Sequence, residues 1–461
     1  MPTQKPATKP SAIDLTTLPR PGAAQPRVLP ATQTILDSTH GHILEKHRRD
    51  HVWNLLLRFK DRDIIRTKLA TLPCTIPSAR DLRSEGVAIK SKLKARLAPD
   101  PRDPVCFVGL SAAGCRVLGI DLSKLSLPFG EGFRVRAARS LGWLDTAWDQ
   151  NWTADLFDAV LVCAAESPGD LFRLLDKLKL HFGSAASFVV EQTAVKRVPS
   201  QALRKSAAVE HFGFADGISQ PSLLTDDGQA SQHFDSGYDP FAQMNVVLVH
   251  DPLAPDPGTN FGSYMAYLKI EQHVDVFEQQ VAAFAQTVSP PPTSGLTAEA
   301  YAASLLIGRC RDGSPLIGGV GNVNDFDRGL DPNGAEWLFR SHICKMNPRD
   351  GTAKTFIVRR GVTYDDGKTK GLLFQSFQAD LQFQFEQLLS AWAGDPNHPV
   401  NNAGLDPLLA RTAPSAPSSD LVTIRGGEYF YFPSIPAIQA LSAAAPTPQA
   451  KSAAKKPARR K

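Results

Sequence analysis

The order of its apolar runs constrains this chain more than any single residue does. The run 51–59 (HVWNLLLRF) is apolar enough for a buried strand, and Asp61 or Asp63 can cap a following helix on which Ile64, Lys68, Leu69 and Leu72 keep helical spacing. A second strand is expected at 105–110, with a short helix at 112–118. The run 158–165 (DAVLVCAA) predicts a third strand. A helix at 168–180 follows, with Leu171, Leu174, Leu175 and Leu178 on one side, and 187–193 predicts a fourth strand. An insertion at 79–103 interrupts the series.

That order, β-α-β-β-α-β, is the split pattern of a ferredoxin-like sandwich, an antiparallel sheet with helices on one side. It can be traced a second time. Residues 263–270 alternate as a strand, and Val274, Phe277, Val281 and Phe284 mark an amphipathic helix. A second helix is expected at 298–306, and a strand at 354–359 pairs with one at 371–378. A helix at 380–393 and a strand at 428–432 close the set. The expectation is an α+β chain of two ferredoxin-like βαββαβ halves, an internal duplication of fold without a visible residue-level repeat. The expected boundaries are a disordered basic, Pro-rich tail at 1–35, halves at 36–200 and 245–436, a linker at 201–244 and a disordered basic tail at 437–461.

Charge is distributed unevenly along the 461 residues. The N-terminal tail carries Lys5, Lys9, Arg20 and Arg27 against Asp14 alone; the last twenty residues carry Lys451, Lys455, Lys456, Arg459, Arg460 and Lys461 with no acid. These charges together exceed the whole-chain net of +5, so the body between them is acidic. The body therefore shows none of the basic excess that nucleic-acid binding would call for. The 6 cysteines have neither C-x-x-C nor zinc spacing, and most sit in apolar runs where a reduced thiol acts as a small hydrophobe. With no apolar stretch of spanning length and no secretory signal pattern, the expected location is the cytoplasm, with no membrane span.

Two stretches carry chemistry. In 210–221 (EHFGFADGISQP), Gly213 and Gly217 bracket Asp216, which lets backbone come close to something flat while a carboxylate is presented at a bend. Asp-Gly on its own is ordinarily just a turn. In 341–361 (SHICKMNPRDGTAKTFIVRRG), His342 stands in apparently irregular chain, and a strand then delivers Arg359 and Arg360 to a turn at Gly361. A loop histidine alone is commonly a solvated side chain, and arginines at a strand end are commonly surface charges.

Occurring together and in order, these stretches resemble the dye-decolourising peroxidase family, marked by G-x-x-D-G (213–217), H-I-x-x-x-N-P-R (342–349) and R-R-G (359–361). The likeness continues through Gly262-Ser263-Tyr264, Gly308-Arg309, Asn324-Asp325-Phe326-Asp327, Gly371-Leu372-Leu373-Phe374 and Arg425-Gly426-Gly427-Glu428, and spans about 35–436.

The resemblance implies two ferredoxin-like halves with one non-covalent haem b per chain in the C-terminal half. It makes His342 the proximal iron ligand, and Asp216 and Arg359 the catalytic pair on the opposite face. Gly213, Gly217 and Arg359 join His342 as cofactor-binding residues, and alternation turns Arg360 away. It implies reduction of hydrogen peroxide through a ferryl intermediate and single-electron oxidation of an organic donor, a dye or a phenol. Asp216 would move the peroxide proton and Arg359 would steady the charge as the O–O bond splits. An aspartate in that place implies dye turnover best in mildly acidic solution. The second nitrogen of His342 should meet a carboxylate, with Glu386 and Asp380 as candidates; Asp380 also suits a helix cap.

Two departures stand out. Cys344 occupies a position that is usually basic, and the C-terminal tail has no apolar docking motif. Trp337, Trp392 and Tyr429 are the aromatic residues through which a bulky donor could be oxidised at a distance. A homo-oligomer is compatible with the sequence. The alternative in another class is a haem-handling protein, a carrier or an iron-releasing enzyme, with the same pocket.

Overall fold

The structure is a computed structural model describing residues 11–18, 30–142, 147–154, 156–194, 197–200, 205–224, 241–316, 333, 338–348, 356–409 and 420–443. Trp337, Arg349, the Asn324 to Asp327 segment and the termini 1–10 and 444–461 lie outside the described residues.

The first four strands form where the apolar runs predict: β1 (His51–Phe59), β2 (Val105–Ser111), β3 (Ala159–Ala165) and β4 (Ala186–Ala194). They lie in the antiparallel order β2-β3-β1-β4. A hairpin of β5 (Arg197–Ser200) and β6 (Lys205–Ala208) and the short β7 (Val249–His250) lead into the second half. There β8 (Phe261–Gln272) pairs with β11 (Lys370–Gln378) on one side and β12 (Val422–Phe432) on the other. β9 (Val358–Arg359) and β10 (Val362–Asp365) lie one after the other along the far edge of β11. Each half thus places its fourth strand beside its first, then its third, then its second, which is the ferredoxin-like order twice over.

Local chemistry explains the elements. Asp61 accepts from the Ile64 amide (3.0 Å) and starts the helix Arg62–Ala70, which buries Ile65 and Leu69 and leaves Ile64 exposed. Ser167 and Pro168 start the helix Pro168–Phe182, whose Leu171, Leu174, Leu175 and Leu178 are buried as predicted.

One expectation is extended and two are corrected. The insertion at 79–103 contains a regular helix, Ala79–Lys94, begun by a reciprocal Ser78 and Asp81 capping box that is visible as S-x-x-D. Residues within 1–35 do not all behave as a tail. Leu15 and Leu18 are buried, the Ile13 amide donates to the Gly258 carbonyl (2.9 Å), and a helix begins at Pro30. At the other end, the helix Ile435–Ala440 runs past 436 and buries Ala437 and Ile438, and Leu441 just beyond it is buried as well. Anchoring residues so sparse are outweighed in composition by Pro, Ala and Gln, which is why both ends look like tails.

The halves are also not separate sheets. β12 pairs with β2 (Phe430 opposite Ser111, Tyr431 opposite Leu110), and β10 meets β4 at Tyr364 and Thr193. With β8 paired to both β11 and β12, the eight main strands close into a ring. Lys269 on β8 ties it electrostatically. Its buried ammonium reaches Glu191 of β4 (3.1 Å), Asp149 (3.0 Å) and Asp366 (3.5 Å). The helical layer of the second half includes Val274–Ala285, Ala298–Ile307 and the π-helical turns Leu381–Glu386 and Leu388–Trp392, which occupy the helix expected at 380–393.

Candidate active site

The Asp216 segment is shaped from below by burial. Phe212 and Phe214 are buried, and Phe212 stacks on Phe277 (4.3 Å, 21°) of the helix Val274–Ala285. The Glu210 carboxylate, its pKa raised by burial, accepts from the Phe212 and Phe214 amides (both 2.8 Å) and holds the turn closed. Gly213 (φ +90) and Gly217 (φ +76) take backbone conformations that a side chain would strain. Asp216 is left half-buried between them. Its Oδ1 accepts from the Gly217 amide (2.6 Å), and its own amide donates to Ala208 (2.8 Å). The bend fixes the carboxylate while leaving Oδ2 for other work.

Arg359 is clasped to the same segment. Its Nη2 donates to the Ile218 carbonyl (2.6 Å), two residues beyond Asp216, and its amide donates to Gln220 Oε1 (2.9 Å). Arg360 points to the opposite side, where Nε donates to the His42 carbonyl (2.9 Å) and Nη2 to that of Ile43 (3.1 Å). The two guanidiniums thus go to different partners, with Arg360 one residue beyond the end of β9.

His342 opens a short helix, His342–Met346, instead of standing in irregular chain. Its Nδ1 lies 2.9 Å from Asp406 Oδ2, and the Asp406 side chain is 0% exposed against 26% for the imidazole. Asp406 Oδ1 accepts from the Leu408 (2.8 Å) and Leu409 (3.0 Å) amides, so the carboxylate cannot swing away. With Nδ1 donating to Asp406, the lone pair is on Nε2.

Here the sequence reasoning missed the partner. Glu386 binds Arg136 (Nε at 2.9 Å) and the Tyr429 hydroxyl (2.9 Å), on another face of the π-helical segment. Asp380 caps that segment, accepting from the Gln382 (2.8 Å) and Phe383 (2.9 Å) amides. The only sequence signal for Asp406 is Asp-Pro-Leu-Leu, an aspartate followed by amides it can cap, with no periodicity to link it to His342.

The helix Ala298–Ile307 connects the two arms. The His342 helix packs on it. It ends at Gly308 (φ +100), and Arg309 just beyond donates to Ser219 Oγ (2.8 Å) in the Asp216 segment and to the Gly313 carbonyl (3.0 Å). Beside the arms, Ser341 Oγ and Gln220 Nε2 are buried with no partner among the described residues. Cys344 is fully buried against Ile343, Phe339 and Leu316. Trp392 stacks on His398 (4.6 Å, 18°), and Tyr429 is wholly buried.

A family model described as "Dyp-type peroxidase, C-terminal" matches residues 304–402, the stretch holding His342 and Arg359. The fold superposes on that of DyP2 from Amycolatopsis sp. with a TM-score of 0.78 and 28% identity, covering 93% of this chain and 99% of that one. With the DyP-type peroxidase AnaPX of Anabaena sp. the TM-score is 0.76 at 26% identity, over 89% of this chain and 95% of that one. Fold and site therefore define a peroxidase built on a duplicated ferredoxin-like α+β frame. In sequence, the chain is 31% identical over 465 residues to the multifunctional dye peroxidase DyP2 of Amycolatopsis sp., covering 88% of this chain and 96% of that protein. The chain belongs to the DyP-type peroxidase family.

Proposed function

We propose that this chain is a haem b peroxidase of the dye-decolourising type, which reduces hydrogen peroxide and oxidises bulky organic donors, dyes and phenols, in single-electron steps. The observation that carries this is the pairing of His342 Nδ1 with the buried carboxylate of Asp406 (2.9 Å), which leaves Nε2 as a metal-binding lone pair. Among the described residues no group of three His, Cys, Asp or Glu side chains could hold a metal ion. A metal on His342 would therefore bring its other donors with it, as haem does, and the single-imidazole donor set fits that group. His342 would hold the haem, with Gly213, Gly217 and Arg359 beside it, and the haem would supply the redox-active iron.

The chain's own residues would do the rest. Asp216 would take a proton from peroxide on Oδ2, the oxygen not held by Gly217, and return it to the departing oxygen. The Arg359 guanidinium, already oriented by Ile218, would offset the negative charge that develops as the O–O bond splits. Glu210 and the two glycines would keep Asp216 in place without further reorganisation.

The test is the visible spectrum of protein purified with haem supplied, followed by peroxide and a dye. A Soret band with peroxide turnover that collapses in Asp216→Ala and Arg359→Ala is the expected result. A Soret band without turnover would leave a haem-handling protein, and absence of the band would overturn the haem proposal.

A further inference from the structure

Lys345 is a buried lysine whose ammonium touches no carboxylate among the described residues. Its Nζ donates to three backbone carbonyls, those of Asp395 (2.6 Å), His398 (2.6 Å) and Gly404 (2.9 Å), which uses all three of its N–H bonds. All three acceptors lie in one irregular segment between the π-helical turn Leu388–Trp392 and Asp406. The segment has neither helix nor strand of its own. Its ends meet where the Asp406 amide donates to the Ala393 carbonyl (3.1 Å), and Gly404, at φ +92, folds back to Pro396 (2.9 Å). The His398 ring adds a return contact, Nε2 donating to the Lys345 carbonyl (3.2 Å).

Lys345 follows His342 by one helical turn, on the same side of the same short helix. The helix therefore grips the segment at two points: the His342 imidazole meets the Asp406 carboxylate, and the Lys345 ammonium holds the loop that presents it. Charge-assisted bonds to carbonyls in a dry site are strong and directional. A cation there also opposes any swing of Asp406 away from the helix, because three carbonyls would be left unpaired.

We infer that Lys345 is a positioning residue for the proposed iron ligand: it sets the strength of the His342 to Asp406 hydrogen bond by fixing the 395–404 segment from the helix that carries His342. This rests on the haem proposal above. It adds that the electron-donating power of the imidazole is tuned by a side chain that touches neither His342 nor Asp406. Weakening the bond from Nδ1 lowers imidazolate character, so ferric iron is less stabilised and the iron–nitrogen bond is weaker.

The test compares wild-type holoenzyme with Lys345→Met, Lys345→Gln, Asp406→Asn and the Lys345→Met/Asp406→Asn double variant. The Fe(III)/Fe(II) midpoint is read by spectroelectrochemistry and the ferrous iron–imidazole stretch by resonance Raman. Lys345→Met should raise the midpoint and lower the stretching frequency, in the direction of Asp406→Asn and by less, with haem affinity falling about tenfold. The double variant should match Asp406→Asn alone, because the lysine acts through that carboxylate. Lys345→Gln, which keeps two donors, should fall between wild type and Lys345→Met. Unchanged midpoint and frequency in both lysine variants, or shifts that add to those of Asp406→Asn, would overturn the inference. So would failure of both lysine variants to fold, which would make Lys345 a determinant of the fold. Wild-type protein without a Soret band would overturn the haem proposal instead.

Discussion

Asp406 stands 64 residues beyond His342, and the pair forms only because a loop and a short helix are brought together by packing. The site side chains have separable jobs. His342→Ala removes the imidazole paired with Asp406, and Soret absorbance in protein purified with haem should largely vanish. Asp216→Ala should keep the absorbance and lower kcat/KM for peroxide by about 10²–10⁴-fold, the usual worth of a positioned acid–base group, as read by stopped-flow mixing. Gly217→Ala probes the bend itself. At φ +76 a side chain is strained, so a loss of peroxide turnover with intact haem absorbance is expected.

Among the elements, the segment 40–47, built around the short helix Gly41–Leu44, and the strand β12 carry groups with opposite pH signatures. His40 and His47 are buried, and burial pushes both down to about 3; His42, stacked on Phe107, is held well below its ordinary value for the same reason. Below pH 6.5 the unfolded chain takes up protons that the folded chain refuses. Stability should therefore fall as pH drops from 6.5 toward 3, by about 1.4 kcal/mol per pH unit for each such histidine. His40→Leu should flatten that slope in urea unfolding across pH 4–7, and at little cost, because neither ring nitrogen has a partner among the described residues. Glu428 on β12 behaves oppositely. Burial pushes its carboxyl up to about 7, despite the Phe133 and Tyr429 amides donating to it. The folded chain then holds its proton above pH 4.5 while the unfolded chain releases it, so this contribution falls as pH rises from 4.5 to 7. Glu428→Gln should gain stability relative to wild type over that window.

For the whole molecule, ring closure depends on contacts that span the two halves. Lys269 draws β4, β8 and the Asp149 and Asp366 segments onto one ammonium, with its own side chain 5% exposed and that of Glu191 10% exposed. Lys269→Met leaves Glu191 buried without its cation and should cost about 3 kcal/mol in urea unfolding of the holoprotein. Adding Glu191→Gln should restore part of the loss.

Much of this architecture was legible in the residues. The apolar runs at β1 and β3 and the leucine face of Pro168–Phe182 follow from periodicity, which depends only on neighbours in the chain. The ordered motifs identified the family. What the residues could not convey were relations between distant segments: ring closure through Tyr364 and Phe430, the burial of Leu15, Leu18 and Leu441, and Asp406 in place of Glu386 as partner to His342. Glu386 had the better local credentials, a carboxylate on a helix near the site, yet packing gave it to Arg136 and Tyr429. Backbone preference acts over a few residues and leaves its mark in the string of letters; which buried carboxylate reaches which imidazole is settled by three-dimensional packing and leaves none.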